Sequence, residues 1–417
     1  MLVYMAQKKV DVMRVIRDGL GGIVILLLCG CHYSDGTVQQ KKPSNGNRDA
    51  QQAGLAVSTP ARAGAVDGTS QNSDEFIWRL FVDFVSPVSD VPGAPVVFET
   101  WASDKDIFST NPRWPEASEP KTFQASVLRS MNLGHGGPVD VSCAPPGNAA
   151  VGGFPSSGAP VPCIAEEVRR NRPMFDYIVD NQLTTQTGLK AAYANSFKVA
   201  MPTTAVAVKG DWVPTETLLQ WIPAIGSLED LRALYYTGVS EGTEYALVSL
   251  HVSSRQNANW VWGTFEHQLS PGRCDDIGCW DTFGAVDPEV LPNRSEINSY
   301  YGNCEKTPEL TALMAKAGLS AVWGNYCLKS TQVDYAAPDG TPYVLGNSTI
   351  ERIVGNGTVA ASSCIACHAY ASFGPDGKPS AAATSMLPYN PTGAPIPAVL
   401  DGSIQFDFMW GLLLAPQ

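Results

Sequence analysis

Two cysteines and a histidine within five residues, Cys364-Ile365-Ala366-Cys367-His368, constrain this chain more than any other feature. CxxCH is the spacing that covalent c-type haem attachment requires, because one short segment then brings two thiols to both vinyl groups of a porphyrin. The imidazole next to them falls onto the iron. A zinc half-site would need a second CxxC or HxxxH pair, which the sequence lacks. A redox CxxC would need a βαβ setting, which Ser362-Ser363 and Ala369-Tyr370-Ala371 do not supply. The motif therefore implies one covalent haem c, with thioethers at Cys364 and Cys367 and His368 as proximal iron ligand.

Residues 1–31 read as an export signal. Lys8, Lys9, Arg14 and Arg17 make a basic start, and residues 20–28 make an apolar core too short for a stable membrane span. Leu28-Cys29-Gly30-Cys31 resembles the bacterial lipobox, which makes Cys31 the expected lipidated residue. A plain secretory signal cut nearby is the alternative. His32 follows the cysteine where an Asp would signal inner-membrane retention, so the outer membrane is the expected destination, with the folded part on the periplasmic or cell-surface side. Residues 32–73 are rich in Gln, Ser, Asn, Gly and Ala with almost no aromatics, and are expected to form a flexible tether.

Cysteine use points to the same compartment. Of ten cysteines, Cys29 and Cys31 belong to the leader and two to the motif, which leaves Cys143, Cys163, Cys274, Cys279, Cys304 and Cys327. An even remainder in an exported chain predicts disulfides. The pairing stays open, and the most local choice is Cys143 with Cys163, Cys274 with Cys279, and Cys304 with Cys327. A net charge of −12 argues against nucleic acid and against binding of anionic lipid by the folded surface. The expected partner is a redox protein that is basic at the contact, with the membrane reached through the N-terminal lipid alone.

Strand patterns dominate the centre. Segments 203–212, 245–253, 259–265 and 326–335 are β-branched or aromatic and alternate, and 342–345 is the expected hairpin return after Pro338-Asp339-Gly340. Helices are expected after Ser73-Asp74-Glu75, ended by Pro87, within 164–195 around Pro173, from Ser227, and from Thr307-Pro308 to Gly318. Helices and strands do not alternate in Rossmann-like units. The expected fold class is α+β and strand-rich: one large disulfide-stapled unit, with a strand-rich domain over 74–345. Residues 346–417 form a haem-attachment segment packed on it, which carries the motif on a loop.

Two further patterns carry possible chemistry. Gly238-Val239-Ser240-Glu241-Gly242 matches the GxSxG nucleophile elbow, but the expected helix before it and strand after it reverse the context of a true elbow, so it reads as a helix-to-strand turn. The stretch from Trp260-Val261-Trp262 to Glu266-His267 offers an apolar haem wall and an imidazole. His267 is the expected distal iron ligand, with His251 and Met386 as rivals and Met409 and His135 as remoter donors. As tryptophans of a sheet core beside hydrogen-bonded histidines, the same residues would be structural.

Several blocks together resemble a poorly characterised family of large bacterial monohaem c-type cytochromes. They are Phe98-Glu99-Thr100-Trp101, Val208-Lys209-Gly210-Asp211-Trp212, Trp260 to His267, Asn325-Tyr326-Cys327-Leu328, Thr331-Gln332-Val333-Asp334, Leu345-Gly346-Asn347-Ser348, the CxxCH block and Asp407-Phe408-Met409-Trp410. The resemblance implies haem c at Cys364, Cys367 and His368 in a single unit, and brings no established reaction. One-electron transfer is the expected role, with a peroxidase- or oxygenase-type haem enzyme or a haem-based small-ligand sensor as alternatives.

Overall fold

The structure, a computed structural model, describes residues 72–91, 93–116, 124–125, 164–293, 295, 299–349, 351, 362–380 and 391–417. The expected signal, the expected lipidation site Cys31, most of the expected tether, Cys143, Cys163, His135 and Met386 lie outside them. The helices include α1 (Ser73–Val85), α2 (Arg172–Asp180), α3 (Gln186–Ala194), α4 (Leu228–Leu234), α5 (Pro308–Lys316) and the motif-bearing α6 (Cys364–Ala369). The strands are β1 (Ala102–Ser103), β2 (Gln124–Ala125), β3 (Ala165–Arg170), β4 (Val206–Pro214), β5 (Thr237–Ser240), β6 (Thr243–Ser254), β7 (Val261–His267), β8 (Cys279–Trp280), β9 (Glu289–Val290), β10 (Tyr326–Gln332), β11 (Ser372–Phe373) and β12 (Ile404–Gln405). The fold is α+β and strand-rich, as the sequence implies.

An antiparallel sheet in the order β1-β3-β4-β6-β7-β10 is its frame, with β2 added on β3 and β5 on β6. Side chains alternate across such a sheet, so its two faces take different chemistry. One face carries Val208, Leu250, Val252, Val261, Phe265 and Leu328, buried against Ile77, Trp78, Phe81 and Phe84 of α1. The Phe265 ring lies 4.8 Å from Trp78 and 4.4 Å from Phe81 between centroids. At Gly263 the backbone meets Ile77 so closely that a Cβ would lie 2.6 Å from Ile77 Cγ2. Cross-strand register puts Glu166, Lys209, Asp211, Ser249, His251, Trp262, Thr264 and Glu266 on the other face.

Local chemistry explains the helix ends. Asn72, rather than Ser73, caps α1, with its Oδ1 accepting the Glu75 N–H at 2.7 Å, and Ser86 ends the helix in extended backbone before Pro87. Ser227 caps α4 and Thr307 caps α5, both through N–H groups three residues on. The chain after α5 turns at Gly318, whose φ of +67° suits glycine.

Three expectations are corrected. Ala165–Arg170 is a strand within the stretch expected to be helical, because Glu166, Glu167, Arg169 and Arg170 are buried against opposite charges instead of facing water. Arg169 pairs with Glu167 at 2.8 Å, Glu166 with Lys209 at 2.7 Å, and Arg170 with Asp104. The GxSxG block is the β5–β6 hairpin rather than a helix-to-strand turn: the preceding helix α4 ends at Leu234, Ser240 pairs with Thr243, and Glu241 and Gly242 take left-handed backbone, so no elbow forms. The expected return strand at 342–345 is reduced to a bridge between Ala336 and Pro342.

Disulfides join Cys274 to Cys279 and Cys304 to Cys327, two of the three local pairings. The described residues fall in one unit. The C-terminal segment shares an apolar cluster with earlier residues: Ile365, Ala369, Phe373, Phe406 and Leu412 lie among Phe108, Met174, Ile178, Leu183 and Leu189. No helix among the described residues is long and apolar enough to cross a membrane.

Candidate haem-attachment site

The CxxCH motif sits on a short helix, α6, rather than on a loop. Ser363 caps it, its Oγ accepting the Ala366 N–H at 3.2 Å. Gln332, at the end of β10, clamps the same terminus to the sheet: its Oε1 accepts the Ile365 N–H at 3.2 Å, and its Nε2 donates to Ser363 Oγ at 2.9 Å and to the Tyr343 carbonyl at 3.2 Å. The far end is held by Gln405 of β12, whose Nε2 donates to the Ala369 carbonyl at 2.8 Å. Gln405 is a site residue that sequence reasoning missed, and Gln332 appeared only within a resemblance block, with no role. A Gln carries no spacing signal; only the folded sheet brings them to the motif.

Cys364 and Cys367, three residues apart, lie on one side of α6. Neither is in a disulfide; Cys364 is buried and Cys367 partly so. Burial, and then the Glu351 carboxylate, push the Cys364 thiol far above the ordinary range and the Cys367 thiol up to about 12. A redox CxxC needs a thiol shifted the other way, toward thiolate. These are unpaired, neutral thiols, the form that adds to a vinyl group. Among the described residues no cluster of three or more His, Cys, Asp or Glu is arranged to hold a metal ion, so the two sulfurs are not completed into a zinc site there.

His368 follows directly. The Phe408 carbonyl lies 2.7 Å from its Nδ1, which puts the proton there and leaves the Nε2 lone pair without a hydrogen-bond partner among the described residues. Burial lowers its pKa to about 4, so the ring is neutral at physiological pH. An imidazole fixed through one nitrogen by a carbonyl, with the other free, is the arrangement that metal-binding histidines use. Trp262 walls it at 4.5 Å between ring centroids. Two unpaired thiols on one helical side, an oriented neutral imidazole and an indole wall fit a covalently held haem.

The Phe408 carbonyl is delivered by an unusual turn. Asp407 and Phe408 take φ of +43° and +68°, and Trp260, which contacts Asp407, takes +62°. Left-handed backbone at three non-glycine residues has to be held by its surroundings. The Asp407 carboxylate does this, accepting from the Met201 N–H at 2.6 Å, Arg255 Nε at 3.1 Å and Trp260 Nε1 at 3.3 Å.

His267 is not brought to His368. It lies five residues beyond Trp262 on the same strand, an odd separation, and so projects from the opposite face. Both of its nitrogens are engaged: Nε2 donates to the Leu234 carbonyl at 3.0 Å and Nδ1 accepts the Leu269 N–H at 3.1 Å. Tyr235 stacks on the ring at 3.5 Å, and burial lowers its pKa to about 3. It is a core histidine with nothing left to offer iron.

His251 does lie on the face of the motif. Its Nε2 accepts from Asn347 Nδ2 at 2.6 Å. The Asn347 amide orientation is set by Thr349, whose N–H donates to Oδ1 at 2.9 Å, so the His251 lone pair is committed to the amide. Burial, and then the positive charge of Lys209, hold His251 well below the ordinary imidazole pKa. Met409 is buried in the cluster that holds α6. Searches against protein-family models, curated proteins and solved structures found no match to this chain.

Proposed function

We propose that the chain is an exported monohaem c-type cytochrome that exchanges single electrons with a redox partner protein. The observation that carries this reading is α6 itself: the described cysteines elsewhere are paired, while Cys364 and Cys367 are kept as thiols beside an imidazole whose Nε2 is free. Cys364 and Cys367 would hold the haem as thioethers, each S–H adding across one vinyl group, which needs no oxidant. His368 Nε2 would bind the iron, with the Phe408 carbonyl holding the ring in the tautomer that leaves Nε2 free. The bound haem supplies the one-electron centre. Trp262 and the cluster around Phe406 and Phe408 cover one side of the imidazole, which stays partly exposed. The net charge of −12 suits a partner that is basic at the contact.

Export and lipidation at Cys31 complete the proposal, supported by the lipobox-like leader and by disulfides, which persist in oxidising compartments. One observation favours a second reading, a haem enzyme or small-ligand sensor: the sheet face beside α6 is lined by buried polar and charged groups, where a simple carrier needs only an apolar wall. The test is production alongside a haem-attachment apparatus. Haem should survive a denaturing gel in the wild type and vanish in the Cys364→Ala/Cys367→Ala double variant; staining that persists there places attachment elsewhere. Ferrous spectra with and without carbon monoxide then separate the readings. A spectrum unchanged by the gas supports the carrier, and a shifted one supports the enzyme or sensor.

A further inference from the structure

Along the polar face, Lys209 pairs with Glu166 at 2.7 Å and Lys329 with Glu266 at 3.0 Å. Asp211 accepts from Ser249 at 2.9 Å, and burial holds it far above the carboxylate range. Burial pulls Lys209 down, but Glu166 and Asp211 outweigh it and keep the lysine above its ordinary value. Glu351 stands apart from these pairs. Its Oε2 accepts the Asn347 N–H at 2.6 Å, and no Lys or Arg lies within ion-pair distance among the described residues. The neutral His251 ring is 3.9 Å away. Gly346 makes room for it, since a Cβ there would meet Glu351 Cγ at 3.0 Å.

Glu351 is also electrostatically joined to the motif, being the charge that most raises both the Cys364 and Cys367 thiols after burial itself. The described groups that interact with it electrostatically are Lys209 and Asp211 on β4, Lys329 on β10 and the two thiols on α6, and His251 on β6 lies beside it.

Building on the haem reading, we propose that Glu351 is a redox-coupled proton-binding site, taking one proton from solvent when an electron enters beside Cys364 and Cys367 and returning it when the electron leaves. The balance is simple: one electron comes from the partner protein, one proton moves onto a carboxylate oxygen, and both depart together. An added negative charge at the motif disfavours the nearby carboxylate and favours the acid. Burial already raises Glu351 to about 7, in the range where such a change shifts its protonation at physiological pH. His251 cannot take this role, because protonating its Nε2 would break the Asn347 hydrogen bond in a site that disfavours cations. The protein then carries one electron together with one proton.

The experiment is a redox titration of the haem-loaded, full-length protein across pH, alongside redox-difference infrared spectra. In the wild type the midpoint potential should fall with rising pH, approaching 59 mV for each tenfold drop in proton activity, the one-electron conversion. Reduction should bring up a carboxylic-acid C=O band. Glu351→Gln keeps an acceptor for the Asn347 N–H and should remove both the slope and the band. A flat wild-type profile, a slope that survives in Glu351→Gln, or a wild type without the carboxylic-acid band overturns the proposal with the haem reading intact. The infrared measurement needs no variant, so a misfolded Glu351→Gln does not blunt the test. A wild type with no attached haem overturns the haem reading itself.

Discussion

Replacing Asp407 tests how the imidazole of His368 is held. The carboxylate is 8% exposed and accepts three hydrogen bonds, from the Met201 N–H, Arg255 and Trp260. In Asp407→Ala the Trp260 indole N–H and the Met201 N–H lose their acceptor, and the Arg255 guanidinium, 19% exposed at its side chain, loses its counter-charge. An orphaned buried donor costs about 1–3 kcal/mol, and removing one partner of a largely buried ion pair about 3–5 kcal/mol. Because these share one carboxylate and the site relaxes, the expected total is about 3–5 kcal/mol. The left-handed backbone adds a diagnostic. Ala at φ +43° is worse placed than Gly by about 1 kcal/mol, so Asp407→Gly should be the milder variant, the reverse of the order in ordinary backbone. Asp407→Asn keeps an acceptor and tolerance for this backbone, and should lose about 1–2 kcal/mol. Urea unfolding with disulfides intact measures all three. An Ala variant within about 1 kcal/mol of wild type, or Ala more stable than Gly, refutes the account of this turn.

Three other outcomes follow from the same structure. His267 is buried and neutral with its pKa lowered to about 3, while the unfolded chain binds the proton near 6.5, so its contribution is full above pH 6.5 and lost as pH falls toward 3; the loss is on the order of 5 kcal/mol. His267→Gln should flatten that part of the stability profile in urea titrations at pH 4 and 7, and should leave the haem spectrum unchanged; a spin-state change would restore His267 as an iron ligand. Alkylation of the unfolded, haem-free protein without reductant should label Cys364 and Cys367 and spare Cys274, Cys279, Cys304 and Cys327, as read by peptide mass spectrometry. Gly263→Ala should cost about 1–3 kcal/mol by driving a methyl into Ile77, and trimming the partner with Ile77→Ala should make the two effects less than additive in denaturant melts.

The central strands were legible because one face of the sheet is apolar and period-two alternation survives in Val206–Pro214, Thr243–Ser254 and Val261–His267. Ala165–Arg170 was not, because its polar residues are paired by Lys209 and Asp104, which are distant in sequence. The motif was legible in full from five residues. Its support was not: Gln332, Asn347 and Asp407 fall in blocks that carry the resemblance but were given no role there, and no pattern marks Gln405, because only the fold brings these separate segments to the motif. His267 was misplaced for a reason the sequence did contain. Trp262, Thr264 and Glu266 share one parity with the motif-facing side, and His267 has the other. Grouping it with the tryptophans read proximity along the strand where the face was what mattered.

The same parity explains why the polar face is kept. Burying Glu166, Lys209, Glu266 and Lys329 costs several kcal/mol per ion, which pairing offsets without net gain, and apolar replacements of equal volume hold a fold at least as well. A sheet selected for stability alone would carry hydrophobic residues on both faces, as buried sheets do. Here the charges form a row leading from Glu166 at β3 to Lys329 at β10, and the row passes beside the segment that holds Cys364 and Cys367. Two cations are each matched by a carboxylate, Asp211 is hydrogen-bonded to Ser249 and held toward its neutral form, and Glu351 has no Lys or Arg within ion-pair distance among the described residues. That pattern fixes the field at the motif while leaving one carboxyl free to change its charge. Ion pairs that add little to stability thus set the conditions under which a proton can follow an electron.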